Sequence, residues 1–282
     1  MLDKLQLTEY KQAIAESYDL RSYSYDDSDW HLQICSQLLI YSHIKPKQCI
    51  LDIGTGTGHL AISAAKIVGE KGRVVGIDIS PEMLTIAQRK VEALGLTNIE
   101  FQLADAEQLN YPDRSFDHIL CANTFPWLED KAATLVSWYR LLKLGGGIGI
   151  HTPADTAYVG AVILKKVLAK YGVDLEPSNR IGSIEQCREL FKNAGFESIE
   201  IKTHQHGSYT TLDRVKATWE SIVTNPSTLS LQDTANHLSK LSPVQLITAK
   251  AEFEAELELL QTDQGIWDDL TTLYMLGQKQ GL

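Results

Sequence analysis

The stretch CILDIGTGTGHL, residues 49–60, restricts the fold more than any other part of the chain. Apolar residues interrupted by one acid, Asp52, read as a buried strand, and Gly54, Gly56 and Gly58 follow at alternate positions before an apolar run resumes. A tight strand-to-helix turn needs one glycine. Three suit a backbone that a ligand approaches closely, because glycine has no Cβ and tolerates positive φ.

From residue 49 strands and helices alternate. QCILDIG (48–54), GRVVGIDI (72–79), NIEFQLAD, FDHILCANTF and GIGIHTP read as strands. HLAISAAKIVG (59–69), SPEMLTIAQRKVEALG (80–95) and KAATLVSWYRLLKLGGG read as helices, the second capped by Ser80, opened by Pro81 and closed by Gly95. Alternation of this kind predicts a parallel, doubly wound α/β sheet with helices on both faces. After Pro153 the pattern loosens into helices over AYVGAVILKKVLAKYG and SIEQCRELFKNAGF and a strand over ESIEIKTHQ. Three further helical pieces, TLDRVKATWESIV, LSLQDTANHLSK and SPVQLITAKAEFEAELELLQ, precede a last period-two run, GIWDDLTTLYMLGQK. They read as an insertion between the last two strands, folded over the open edge of the sheet.

The charge balance narrows the partners. With 26 basic against 36 acidic residues the net charge is −10, and no stripe of Lys and Arg is present, so nucleic acid is excluded as a partner. No apolar run approaches a membrane span, and the N-terminus lacks the basic-then-apolar order of a secretory signal. Cys35, Cys49, Cys121 and Cys187 form no C-x-x-C pair, which fits a reducing cytoplasm and suggests no metal. His204 and His206 alone are not a complete ligand set.

In doubly wound sheets ligands sit at the carboxyl ends of the strands. The spacing G-x-G-x-G differs from the dinucleotide pattern G-x-G-x-x-G, and Asp52 before it suits a cation better than a pyrophosphate. Asp78 ends the second strand 24 residues after Gly54, where an acid can accept from both ribose hydroxyls. Asp105 and Ala106 end the third strand, where an acid can accept from an adenine amino group, and Asn123 ends the fourth. An adenosine ligand follows from this set without deciding which one.

LDIGTGTG, VVGIDIS, ADAEQL, FDHILCANTF and RLLKLGGG, in that order over residues 48–152, resemble the motifs of class I S-adenosylmethionine-dependent methyltransferases, and within them the branch of ubiquinone and menaquinone biosynthesis and specialised metabolism. The resemblance implies a Rossmann-like sheet of seven strands with a helical insertion before the last strand, and S-adenosyl-L-methionine as cofactor. It implies that Gly54, Thr55, Gly56 and Gly58 approach the methionine moiety and ribose, that Asp78 holds the ribose, and that Asp52 lies near the amino group. Ile79 and Met83 would pack on the adenine, and Asp105 with Ala106 and Asn123 complete the pocket. The implied division is an N-terminal helical lid at 1–44, a cofactor-binding core at 45–208, a helical acceptor cap at 209–263 and a final strand at 264–282.

The acceptor is expected to be a small molecule methylated at O, N or C. A general base is needed only where the acceptor must lose a proton. His31, opening a helix after an aromatic and acidic segment, and His151, at the end of the fifth strand, are the candidates. YDLRSYSYDDSDW has neither a helical nor a strand period and reads as a lid loop, with Tyr18 and Tyr25 as the preferred contacts to a cationic donor. The alternatives are an NAD(P)-dependent oxidoreductase, disfavoured by the glycine spacing and by the absence of a Tyr-x-x-x-Lys pair, and a binding protein without transfer activity.

Overall fold

The computed structural model describes residues 5–27, 29–173, 183–224 and 238–281. Its described elements run α1 (Glu9–Arg21), α2 (Trp30–Ser42), β1 (Cys49–Ile53), α3 (His59–Val68), β2 (Arg73–Asp78), α4 (Pro81–Leu94), β3 (Ile99–Leu103) and β4 (Phe116–Ala122). They continue as α5 (Lys131–Leu141), β5 (Leu142–Pro153), α6 (Val159–Ala169), α7 (Ile184–Asn193), β6 (Glu197–His204), β7 (Gly207–Thr210) and α8 (Leu212–Trp219). The last are α9 (Pro243–Glu258), β8 (Ile266–Asp269) and β9 (Thr272–Gln278). Two compact units contain them, one of 1–152, 184–202 and 273–282, the other of 153–183 and 203–272.

The first unit is built on a seven-stranded sheet of order β3-β2-β1-β4-β5-β9-β6. β1 pairs in parallel with β2 and β4, β2 with β3, and β4 with β5. Because successive side chains point to opposite faces, a strand covered on both sides must be apolar throughout. Ile50, Leu51 and Ile53 are all fully buried, as are Ile119, Leu120 and Cys121 on β4. On one face Leu38, Leu60, Ala64 and Val68 from α2 and α3 pack with Ile50, Val74 and Leu120. The ends of α4 follow the local chemistry expected: Ser80 Oγ accepts from Met83 N at 3.2 Å, Pro81 opens the helix, and Gly95 closes it at φ +65°.

Three sequence expectations are corrected by the fold. The helix predicted to run into Gly145 stops at Leu141, and Leu142 already begins β5 with extended backbone. The register slips between Phe116 and His118 opposite the glycines, and Gly145 N donates to Lys279 O at 3.0 Å, so these glycines serve an irregular strand end rather than a helix cap. The stretch 18–30, read as an aperiodic lid loop, is in part helical: α1 extends through Tyr18 to Arg21, and Ser22–Ser24 form a 3₁₀ turn. The buried stripe of the N-terminal segment, Lys11, Ile14, Ala15 and Ser22, includes polar residues and so hides the helical period.

The predicted single last strand is two. Asp269 Oδ1 accepts from Thr271 N at 2.8 Å and from Thr271 Oγ1 at 2.5 Å, an Asx turn that interrupts the extended run. β8 accordingly pairs antiparallel with β7 in a two-stranded sheet that was not anticipated, while β9 joins the large sheet.

The second unit has its own core. Leu164, Val167 and Leu168 of α6, Val215 and Trp219 of α8, and Phe253 and Leu257 of α9 form one buried cluster. The helix expected over 229–240 lies almost wholly outside the described residues. Among the described residues no helix is long and apolar enough to cross a membrane.

Trp138 of α5 joins sheet packing to the wall of the cavity described below. It is fully buried, and its Nε1 donates to Ala106 O at 2.9 Å. Trp138→Phe keeps most of the apolar contact but leaves that carbonyl without its donor. The variant is expected to lose about 1–3 kcal/mol of stability, measured as a lower denaturant midpoint at unchanged m value. An unchanged midpoint contradicts this account of the bond.

Candidate active site

Within the first unit a cleft enclosing about 690 Å³ of space, part of it open to solvent, lies at the carboxyl ends of β1 to β4. Gly54, Gly56, Ile77, Asp78, Ile79, Ala104, Asp105 and Ala106 line it, with Asn123. A neighbouring lobe of about 360 Å³ shares Tyr25, Gly54, Gly56 and Asn123 with it and extends to Asp52, Thr55, Thr57 and His31.

The turn after β1 is held in the left-handed region, with Gly54 at φ +65°, Gly56 at +55° and Gly58 at +87°. The three glycines do different work. A Cβ on Gly54 would collide with the Thr124 side chain. One on Gly58 would press on Ala87 and Phe101 at 3.0 and 3.2 Å, so this glycine serves packing and lies outside the cavity wall, contrary to its expected ligand contact. A Cβ on Gly56 would meet only Tyr25, at 3.8 Å, and would fill cavity space.

Three acids approach this space. Asp52 is 1% exposed and accepts from Thr55 Oγ1 at 2.7 Å. Burial pushes its carboxyl up to about 7; the Thr55 bond opposes the rise and the nearby Asp78 charge adds to it. Asp78 accepts from Gly56 N at 2.8 Å and Ser80 N at 2.9 Å. Burial pushes its carboxyl up too, against those backbone bonds. Asp105 accepts from Glu107 N at 3.0 Å and from Lys11 Nζ at 2.8 Å.

The N-terminal segment closes on these groups. Asp19 of α1 accepts from Ser80 Oγ and from Glu82 N, at the N-terminus of α4. Asp26 accepts from Thr57 Oγ1 at 2.7 Å, meets His59 Nε2 at 2.7 Å, and pairs with Lys90 Nζ at 2.6 Å. Tyr18 and Tyr25 line the larger cavity, with ring centroids 6.1 Å apart, and Trp127 stands 6.3 Å from Tyr18. Tyr25 stacks 4.1 Å from His31.

Of the two histidine candidates, His31 faces the smaller lobe. Burial lowers its pKa, the nearby His59 lowers it further, and Nδ1 has no hydrogen-bond partner among the described residues. His151 is placed elsewhere. β5 continues to Pro153, so His151 sits within the strand opposite Ala122, fully buried with its ring 4.9 Å from Tyr274, and lines neither lobe. Met83 is 1% exposed and lines neither lobe, while Ile79 lines the cavity. Among the described residues no cluster of His, Cys, Asp and Glu is placed to hold a metal ion.

Sequence reasoning missed Lys11, Ile14, Thr124, Trp127 and Leu128 in the wall. Lys11, Ile14 and Tyr18 stand at helical spacing, and a signal was present in that lysine on an otherwise apolar face.

The comparisons agree with this geometry. A methyltransferase-domain family model matches residues 44–195. The chain is 29% identical to a demethylmenaquinone methyltransferase of Oceanobacillus iheyensis over 58% of this chain and 76% of that one. It is 32% identical to the aklanonic acid methyltransferase DauC of Streptomyces sp. strain C5, over 54% of this chain and 70% of that one. A Haemonchus contortus phosphoethanolamine N-methyltransferase 2, solved with phosphomonomethylethanolamine and S-adenosylhomocysteine, shares the fold at a TM-score of 0.60 and 20% identity, over 98% of this chain and 61% of that one. A family match over more than half of the residues, on a sheet whose carboxyl edge carries the acids and open glycine turn just described, identifies the chain as a member of the methyltransferase-domain family, the class I S-adenosylmethionine-dependent methyltransferases.

Proposed function

We propose that the cavity binds S-adenosyl-L-methionine and that the chain transfers its methyl group to an O, N or C atom of a small-molecule acceptor in quinone or specialised metabolism. The observation that carries this reading is the meeting of Gly56, whose missing Cβ leaves the cavity open, with the buried carboxylates of Asp52 and Asp105 and the half-buried one of Asp78. Such a wall favours a cationic, hydroxyl-bearing ligand and disfavours a pyrophosphate. Among the lining residues Lys11 is the permanent cation, and Asp105 and Glu107 neutralise it.

When bound, the cofactor supplies a methyl group already activated on a sulfonium. The protein's task is then alignment and exclusion of water. Asp78 accepts from the ribose hydroxyls, Ile79 packs on the purine, and Asp105 and Ala106 meet its edge. Asp52, with Thr55 fixing its orientation, faces the amino group from the smaller lobe. Asn123 and Gly54, shared by both lobes, stand where the two ends of the ligand join. The rings of Tyr18, Tyr25 and Trp127 suit a planar, aromatic or quinoid acceptor as well as a cation. The similarity to methyltransferases named for demethylmenaquinone and aklanonic acid supports that acceptor class. Where the acceptor must lose a proton, His31 takes it, since burial keeps the imidazole neutral and its Nδ1 free to accept.

Calorimetric titration is expected to show binding of S-adenosylhomocysteine and little of NADH. Asp78→Ala should weaken the former by about 1.5–3 kcal/mol, the range for hydrogen bonds to a charged group. His31→Gln should leave that affinity within about threefold, less than a charged hydrogen bond supplies, while lowering turnover. NADH binding more tightly than S-adenosylhomocysteine overturns the cofactor assignment.

Protonation supplies an independent check. A carboxyl near pKa 7 is about half protonated at neutral pH, and a cation placed beside it favours the ionised form. Binding of S-adenosylhomocysteine at pH 7 should therefore release protons, up to roughly half a proton per site. Calorimetry in buffers of different ionisation enthalpy measures this, and Asp52→Asn should abolish it. Net proton uptake by the wild type contradicts the placement of the amino group at Asp52.

A further inference from the structure

Lys11 is an unusual residue to find in the wall of a nucleoside cavity. It is 7% exposed, and its ammonium lies 2.8 Å from Asp105 Oδ2, 2.7 Å from Glu107 Oε2 and 3.4 Å from Glu129 Oε2. Burial opposes the charge, but the bonds to Asp105 and Glu107 outweigh it and hold the ammonium protonated, with a pKa raised to about 12. Against the cost of burial, the bonds from Lys11 and from the backbone of Asp130 and Glu129 hold the Glu107 carboxyl below its usual range.

The network extends beyond one ion pair. Asp105 is gripped at both oxygens, by Glu107 N on one and by Lys11 Nζ, with Gln108 Nε2 at 3.2 Å, on the other. Glu107 accepts in turn from the backbone of Glu129 and Asp130, at 3.1 and 2.8 Å, which fixes the segment leading into α5. Lys11 also belongs to the face of α1 that carries Ile14 and Tyr18 into the cavity wall. Whatever sets Lys11 therefore sets those two side chains.

We propose that Lys11 is a positioning residue for the purine: by bonding Asp105 it aims the carboxylate at a 6-amino edge, and by the same bond it seats Ile14 and Tyr18 over the bound nucleoside. Recognition of the amino group and closure of α1 are then one event. A carboxylate offers about four acceptor sites, so after the bonds from Lys11, Gln108 and Glu107 N the amino group can still be received. A 6-oxo purine turns an acceptor toward the same carboxylate, and the buried pair is left mismatched.

This inference rests on the adenosyl reading of the cavity, and the experiment separates the two. Wild type and Lys11→Met are titrated calorimetrically with S-adenosylhomocysteine and with its deaminated, inosyl counterpart, with thermal melting as the check of folding. The wild type should prefer the adenosyl ligand by about tenfold or more, and Lys11→Met should lose about tenfold in adenosyl affinity together with most of the preference. Retention of both affinity and preference in a folded Lys11→Met overturns the proposal.

If that variant does not fold, the wild type alone decides. Hydrogen exchange across Glu9–Arg21 should slow with saturating S-adenosylhomocysteine and stay near the free rate with saturating inosyl ligand. Equal slowing by both refutes the coupling. Failure of the wild type to bind S-adenosylhomocysteine would instead overturn the underlying cofactor assignment.

Discussion

The hydrogen bond from Gly56 N to the Asp78 carboxylate, 2.8 Å long, joins the turn after β1 to the end of β2, and the geometry of the site follows from it. The bond requires the turn to hold a left-handed backbone at Gly54 and Gly56, which non-glycine residues adopt only with strain. It requires Asp78 to lie at the very end of its strand, where Ser80 N also reaches it while Ser80 Oγ caps α4. One carboxylate thus fixes the turn, the entry to α4 and a wall of the cavity. A structural and a ligand-facing role coexist in it, because a carboxylate offers more acceptor sites than two backbone donors use.

Electrostatics carries the argument from cavity to chemistry. Desolvation pushes both Asp52 and Asp78 toward the neutral form, against the Thr55 bond on the first and the backbone bonds on the second. A cationic ligand relieves that strain on their ionised state. Around the rim the opposite arrangement prevails: Lys11 with Asp105 and Glu107, and Asp26 with Lys90, are paired and locked. Asp52 and Asp78 face the cavity without a counter-cation, whereas Asp105 lines it while paired with Lys11 of α1. At Asp105 the seating of α1 and the cavity wall share one carboxylate, whereas Asp26 fastens the N-terminal segment and lines neither lobe.

Much of this was legible in the sequence for physical reasons. The glycine spacing, the acids at successive strand ends and the Ser80–Pro81–Gly95 punctuation are local rules, and the structure follows them. What was not legible depends on contacts far apart in the chain. Lys11 is an ordinary surface-type residue until Asp105, 94 positions away, is folded against it. His151 reads as a strand end until the strand is seen to continue to Pro153. Gly58 looks identical to Gly56 in the motif, yet its neighbours are Ala87 and Phe101 rather than open space. The Asx turn at Asp269 breaks an alternation that otherwise continues through it.

The most direct test of the central claim is a crystal structure of the protein with S-adenosylhomocysteine. The account predicts both ribose hydroxyls within about 3.2 Å of the Asp78 carboxylate, the purine edge against Asp105 and Ala106 with Lys11 still paired, and the amino group beside Asp52. A ligand bound outside the wall formed by Gly56, Asp78 and Asp105, or one turned so that its purine lies over Asp52, would contradict it.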